Sequence, residues 1–334
     1  MNKGIWAVVI VLLLGVAVVI VVRKQQSETA SSGGSAATQG SSMTIAVIPK
    51  GTTHQYWKSV EAGAKQAGKD FGVNIIYKGS MQEDDRAGQI SVVQQFTADN
   101  VNGIVLAPVD NVALVPAVQA AMAKKIPVII IDSSLNGVAG KDFVSYCGTN
   151  NTLAGKMGGD QLAKILGGKG KYVLLRYAVG SASTIQREAG FLSAMKENPG
   201  MTPLVTNRYA GTSVSEAKAT ALDLLDQIRQ ANGIFCPNES TTIGMLDVLE
   251  ENNLAGKIHF VGFDATPELV TALRKGELDA IVSQNPKKMA YEGVKACLGA
   301  IRGDAQPPDI DSGVQLITRD NVDSPEVQKL LSGG

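Results

Sequence analysis

Histidine is almost missing from this chain, with two residues in 334. His54 and His259 leave little material for histidine-based catalysis, and no G-x-S-x-G turn is present to seat a Ser-His-Asp hydrolase. Cysteine is scarce as well. Cys147, Cys236 and Cys297 form an odd set without a C-x-x-C pair. Such a set builds neither a disulfide framework nor a zinc site, and the three are expected to act as small buried hydrophobes. No G-x-G-x-x-G follows a strand and no P-loop occurs, so a bound nucleotide would have no phosphate cradle. Neither metal nor cofactor is expected. Charge of one sign is not in excess, with 31 Lys and Arg against 31 Asp and Glu. That balance excludes the usual basic nucleic-acid face and an acidic solvating tail. Aromatic residues are only 5%, so those beside a candidate site carry weight.

What the chain does have begins at its N-terminus. Ile5 to Val22 is an uncharged run of 18 residues, with Lys3 before it and Arg23 and Lys24 after it. The run approaches the length of a membrane span and exceeds the apolar stretch of most signal peptides. Residues 1–24 are therefore expected to be a signal anchor, with a cleaved signal peptide as the alternative. Residues 25–43 are rich in Ser, Gly, Ala, Thr and Gln and are expected to be a flexible linker. Either reading places the remainder outside the cytoplasm.

From Thr44 onward, short apolar strands alternate with amphipathic helices. Strands are expected at 44–49, 73–78, 103–107, 127–131 and 143–146, then at 171–176, 203–208, 233–236, 258–262 and 280–283. Helices are expected at 56–70, 85–99, 112–124, 153–166 and 216–229. Continuously apolar strands in this alternation predict βαβ units and buried parallel sheets. The chain also echoes itself. Asn102-Gly103-Ile104 opens a strand, a helix follows, and the next strand ends at Asp132. Asn232-Gly233-Ile234 opens another, and the matching strand ends at Asp264. Two similar domains are expected, with an Asp at the end of equivalent strands.

Ligands of open parallel sheets bind outside the carboxyl ends of the strands. The residues just past those ends are Lys50, His54, Tyr56 and Trp57, then Asp132 and Ser133, then Arg187, Asn238, Asp264 and Gln284. This set suits a polyhydroxylated ring. Carboxylates accept paired hydroxyls, Arg and Lys donate, Asn and Gln do both, and aromatic faces cover the C–H faces of a sugar. Singly, each has an ordinary reading: Asp132 as a helix cap, Trp57 as core, Lys50 or Arg187 as a solvated side chain, His259 as a structural strand residue. Glu83-Asp84-Asp85 reads as a solvated helix start.

Several segments together resemble the periplasmic binding proteins of the ribose-binding type, over about residues 44–322. They are Ala46-Val47-Ile48 with Tyr56-Trp57, Ile126-Pro127-Val128 through Asp132, "NNTLAGKMGGD" at 150–160, "QREAGF" around Arg187, "FCPNES" around Asn238, "VGFDATP" around Asp264, and Gln284. The resemblance implies an α/β fold of two doubly wound parallel-sheet lobes joined by a three-segment hinge, with crossings near Thr149, Asn285 and Gly313. It assigns 44–149 with 285–313 to one lobe and 150–284 with 314–334 to the other. It implies a monomer that closes on a pentose or hexose and presents it to the permease and ATPase of an ABC importer, without catalysis. Ligand positions carry over to Tyr56, Trp57, Asp132, Arg187, Asn238, Asp264 and Gln284. Three positions depart from the ribose-binder pattern: Lys50 replaces a small hydroxyl residue, His54 an Asn, and Ser133 an Arg. Lys50-Gly51 and Cys236-Pro237 are also similar to binders of a furanosyl signal, which keeps open a membrane-anchored sensor as the alternative. A third reading is an enzyme using Asp132 and Asp264 as acid and base. Repressors that share this fold carry a helix-turn-helix where this chain has its apolar run.

Overall fold

The computed structural model describes residues 43–332. The expected span 1–24, the linker up to residue 42 and the last two residues lie outside the described residues. Among the described residues, no helix is long and apolar enough to cross a membrane.

The first sheet is built from β1 (Thr44–Ile48), β2 (Asn74–Tyr77), β3 (Gly103–Leu106), β4 (Val128–Ile131), β5 (Ser145–Gly148) and β11 (Asp309–Asp311). They run in the order β2-β1-β3-β4-β5-β11 and every pair is parallel. The second sheet holds β6 (Lys169–Arg176), β7 (Gly200–Tyr209), β8 (Gly233–Phe235), β9 (His259–Phe263), β10 (Ala280–Gln284) and β12 (Val314–Thr318), in the order β7-β6-β8-β9-β10-β12. Both sheets thus repeat one winding, and the chain passes between them at 148–151, 284–286 and 311–314.

The fold departs from an all-parallel expectation at β12, which pairs antiparallel with β10. β11 ends at the cleft edge of the first sheet, and only Ser312 and Gly313 separate it from β12. A strand entering the second sheet from that edge must run back against its neighbours, because a parallel entry needs a crossover of a dozen residues or more.

Alternation along the strands builds a core on each face. Ile45 and Val47 pack to one side of the first sheet, Ala46 and Ile48 to the other. Val173 and Leu175 do the same against Tyr172 and Leu174 in the second. The covering helices are α1 (Gln55–Phe71), α2 (Arg86–Ala98), α3 (Val115–Ala123), α4 (Asn151–Ile165), α5 (Ala182–Glu197), α6 (Val214–Asp223), α7 (Leu225–Ile228), α8 (Glu239–Glu251), α9 (Pro267–Lys275), α10 (Pro286–Arg302) and α11 (Pro325–Leu331). The single helix expected at 216–229 is broken at Leu224, with no Gly or Pro to mark the break. It starts two residues earlier than expected, at a capping box in which Ser213 and Glu216 satisfy each other's backbone N–H groups. The strand expected at 143–146 lies two residues later, because Phe143 packs under the sheet from the preceding loop.

The sequence echo has a physical basis. Asn102 donates its N–H to Thr44 O (2.9 Å) and its Oδ1 accepts from Thr44 N (2.7 Å). Asn232 does the same with Lys171 O and Lys171 N, at 2.8 Å each. Each Asn side chain stands in for a strand partner where the first pairing of its sheet begins. The three cysteines are free and buried, as expected.

Candidate functional site

The two echoed carboxylates, Asp132 after β4 and Asp264 after β9, sit at φ +62° and +66°. A left-handed conformation is uncommon outside glycine, though Asp tolerates it better than most, and such outliers gather at functional sites. The sharp turn lifts each side chain off its strand end into the gap between the lobes. There both are buried, at 3% and 7% exposure.

One cavity is lined by Lys50, His54, Tyr56, Trp57, Asp132, Arg187, Asn238, Asp264 and Gln284. Nine of the ten side chains expected at the site therefore meet in one place. The tenth, Ser133, lies behind it and is fully buried in a contact between the lobes, its Oγ 2.9 Å from Ser183 Oγ.

The chemistry is paired. Asp132 Oδ1 accepts from Tyr56 OH at 2.8 Å, and Oδ2 lies 2.8 Å from Lys50 Nζ. Burial alone would raise the Asp132 pKa, but the charges of Lys50 and Arg187 outweigh it and hold the carboxyl below its usual range. Asp264 accepts from Gln284 Nε2 (2.8 Å) and Glu239 N (3.0 Å). Here burial wins over the opposing Arg187, and its pKa is pushed up to about 6. Arg187 reaches from α5 to Asn151 Oδ1 on α4 (2.8 Å) and to Pro237 O (3.0 Å), with its guanidinium 4.0 Å from the Phe263 ring centre. Its position depends on α4. A Cβ at Gly155 would stand 1.9 Å from Arg187 O, so only glycine lets α5 lie this close.

Two polar atoms in this set lack a hydrogen-bond partner among the described residues: Arg187 Nη2, a donor from one lobe, and Asp132 Oδ2, an acceptor from the other. Asp132 Oδ2 keeps the ion pair with Lys50 Nζ at 2.8 Å. Buried polar groups are seldom left unpaired.

Five further residues line the cavity outside that set: Glu83, Tyr177, Ser183, Thr184 and Glu239. Glu83 accepts from Trp57 Nε1 (2.7 Å), pairs with His54 Nδ1 (2.6 Å) and accepts from Tyr177 OH (2.9 Å) in the opposite lobe. Burial disfavours its charge, yet the bond and charge of His54 outweigh it and lower its pKa. Burial likewise opposes a charged His54, but Glu83 prevails and its pKa is raised. Glu83 thus corrects the reading of 83–85 as a solvated helix start. Only Asp85 does that work, capping α2 through Gly88 N. Tyr177 follows β6 directly, and Glu239 follows Asn238, so both stand where the strand-end rule looks. His259 is a strand residue outside the cavity, as expected. It starts β9 half exposed, beside Asp279 at 3.2 Å.

Comparison with known proteins places this arrangement. Residues 45–305 match the family described as periplasmic binding protein domain. The D-ribose/D-allose-binding protein of Pseudomonas aeruginosa is 26% identical over 285 residues, 82% of this chain and 88% of that protein. A carbohydrate transporter solute binding protein from Agrobacterium radiobacter, solved with D-arabinose, is 32% identical with a TM-score of 0.83, covering 87% of this chain and 99% of its own. An ABC transporter solute binding protein from Agrobacterium vitis with bound D-fucose is 33% identical, also with a TM-score of 0.83, over 86% and 99%. The matched residues run through both lobes and the cavity between them, and the chain belongs to the periplasmic binding protein family.

Proposed function

We propose that this protein captures a monosaccharide between its lobes, outside the cytoplasm, and delivers it to the permease of an ABC importer. The observation that carries the reading is the couple of Arg187 Nη2, which lacks a hydrogen-bond partner, and Asp132 Oδ2, which has only the Lys50 ion pair, buried in one cavity and contributed by opposite lobes. A sugar hydroxyl can donate to one and accept from the other, so a polyol supplies what the site lacks. Hydrogen bonds to charged groups contribute roughly 1.5–3 kcal/mol each. A handful of them, less the cost of ordering, reaches the roughly −8 kcal/mol of a micromolar complex.

In this reading 44–149 with 285–313 form one lobe and 150–284 with 314–334 the other, and residues 1–24 hold the protein at the membrane or direct its export. Binding without turnover is supported by the two carboxylates. Lys50 keeps Asp132 ionised, and both oxygens of Asp264 already accept hydrogen bonds. The family and the sugars named for its relatives support the substrate class. Calorimetry against D-ribose, D-allose, D-arabinose and D-fucose tests it. At least one is expected to bind, with binding lost in Arg187→Ala and Asp264→Ala. Unchanged affinity in both variants would sink the proposal.

A further inference from the structure

Helix α1 has no cap of its own. His54 stands at its N-cap in an extended conformation (φ −70°, ψ 151°) without a side-chain bond to the helix, and the first turn holds no acidic residue. The cap comes from the other lobe. Glu239, the first residue of α8, accepts from Gln55 N with Oε1 (2.9 Å) and from Tyr56 N with Oε2 (2.8 Å). Its carboxylate is buried, and its own N–H donates to Asp264 Oδ2.

The first N–H groups of a helix have no partner within it, and the N-terminus of a long helix carries partial positive charge. With the lobes apart, water serves the N–H groups and the carboxylate separately. With the lobes together, each is removed from water and only the other can satisfy it. The same turn carries Tyr56, whose hydroxyl is fixed on Asp132.

We infer that Glu239 is a helix cap supplied across the cleft, a positioning residue that orders the start of α1 and Tyr56 only when the lobes meet. It thereby sets the balance between open and closed states. The inference rests on the closing motion in the proposed function, but not on the identity of the sugar.

The test reads closure without ligand. Nitroxide labels at Lys69→Cys and Lys257→Cys, both exposed and one in each lobe, report interlobe distance in the full chain, and the native cysteines are buried. Loss of a helix cap predicts that Glu239→Ala shifts the open-to-closed ratio about tenfold toward open. Gln55→Pro isolates the contact. Gln55 is the first helical residue, where proline is favoured, and His54 before it already has the extended backbone that precedes proline. The variant removes one N–H, leaves every cavity side chain in place, and is expected to shift the ratio about threefold, the share of one of the two capped N–H groups in the tenfold effect of the whole cap. Combined with Glu239→Ala, it should add nothing. Unaltered distances in Gln55→Pro, or additive effects of the two changes, would overturn the inference, and the Gln55→Pro result decides even if Glu239→Ala fails to fold. A chain that bound no monosaccharide would defeat the functional reading while leaving these distances to decide this one.

Discussion

Asp264→Asn should make the protein more stable while impairing binding. The Asp264 carboxyl is buried, and its pKa is pushed from an ordinary 3.8 to about 6, chiefly by burial. That rise corresponds to about 3 kcal/mol at pH values above both figures. The sign follows from proton linkage. The native state holds this proton more tightly than the unfolded chain, so stability falls as pH rises from about 4 to about 6 and stays low above that. Asparagine carries no charge to bury and suits the φ of +66° at this position. It leaves the Gln284 amide facing a possible donor, which returns about 1 kcal/mol. The net gain is about 2 kcal/mol at pH 8, a few degrees in Tm for a protein of this size, vanishing near pH 4. Calorimetric scans of both proteins between pH 4 and 8 measure it. An Asp264→Asn protein no more stable at pH 8, or a gain independent of pH, would refute the reasoning.

Other perturbations test other parts of the site. Gly155→Ala gains about 1 kcal/mol in helix propensity but drives a methyl into Arg187 O. Overpacking of about 1–3 kcal/mol or more wins, so Tm should fall and sugar affinity drop at least tenfold by calorimetry. Lys50→Met leaves Asp132 buried without its partner, a loss of about 3–5 kcal/mol; adding Asp132→Asn should recover most of the Tm but not binding. The His54–Glu83 pair stabilises below the raised pKa of His54, a contribution lost as pH rises through it, and above the lowered pKa of Glu83, lost as pH falls through that. In Glu83→Gln burial of His54 is opposed only by the charges of Glu239 and Asp264, so its NMR titration should move down, and an unmoved titration would remove Glu83 as the cause.

The strand-end rule exposed most of this site because burial is strict there. A side chain past the carboxyl end of a central strand either caps the next helix or enters the cleft, and Asp132 and Asp264 do the latter through a left-handed turn that no sequence pattern announces. Glu83 escaped the same rule because three acids in a row look alike. Which one turns inward depends on His54, Trp57 and Tyr177, residues distant in sequence or carried by the opposite lobe. Ser133 reaches the cavity lining only through Ser183. Its position beside Asp132 is legible, but its partner Ser183 belongs to a helix that meets it only across the cleft. The antiparallel β12 was hidden in a short segment whose direction is set by where β11 ends.

The distribution of apolar packing explains why such a site can open. Among the described residues, each of the four hydrophobic clusters stays within one lobe. What crosses the cleft is polar: Lys50 to Ser183 (3.2 Å), Ser134 to Gln186 (3.3 Å), Arg86 to Val179 O (3.0 Å), Glu83 to Tyr177 and Glu239 to α1. An apolar seam would hold the lobes shut at about 25 cal/mol per Å² whether or not a ligand were present. Polar contacts exchange one set of hydrogen bonds for water's, for a net of only about 1 kcal/mol each. Such contacts hold the lobes together only modestly, and a ligand that shifts the equilibrium can do so only by its differential affinity for the two states. A sugar that pairs with both Arg187 Nη2 and Asp132 Oδ2 has that differential affinity, because those two atoms are brought into one cavity only when the lobes are together.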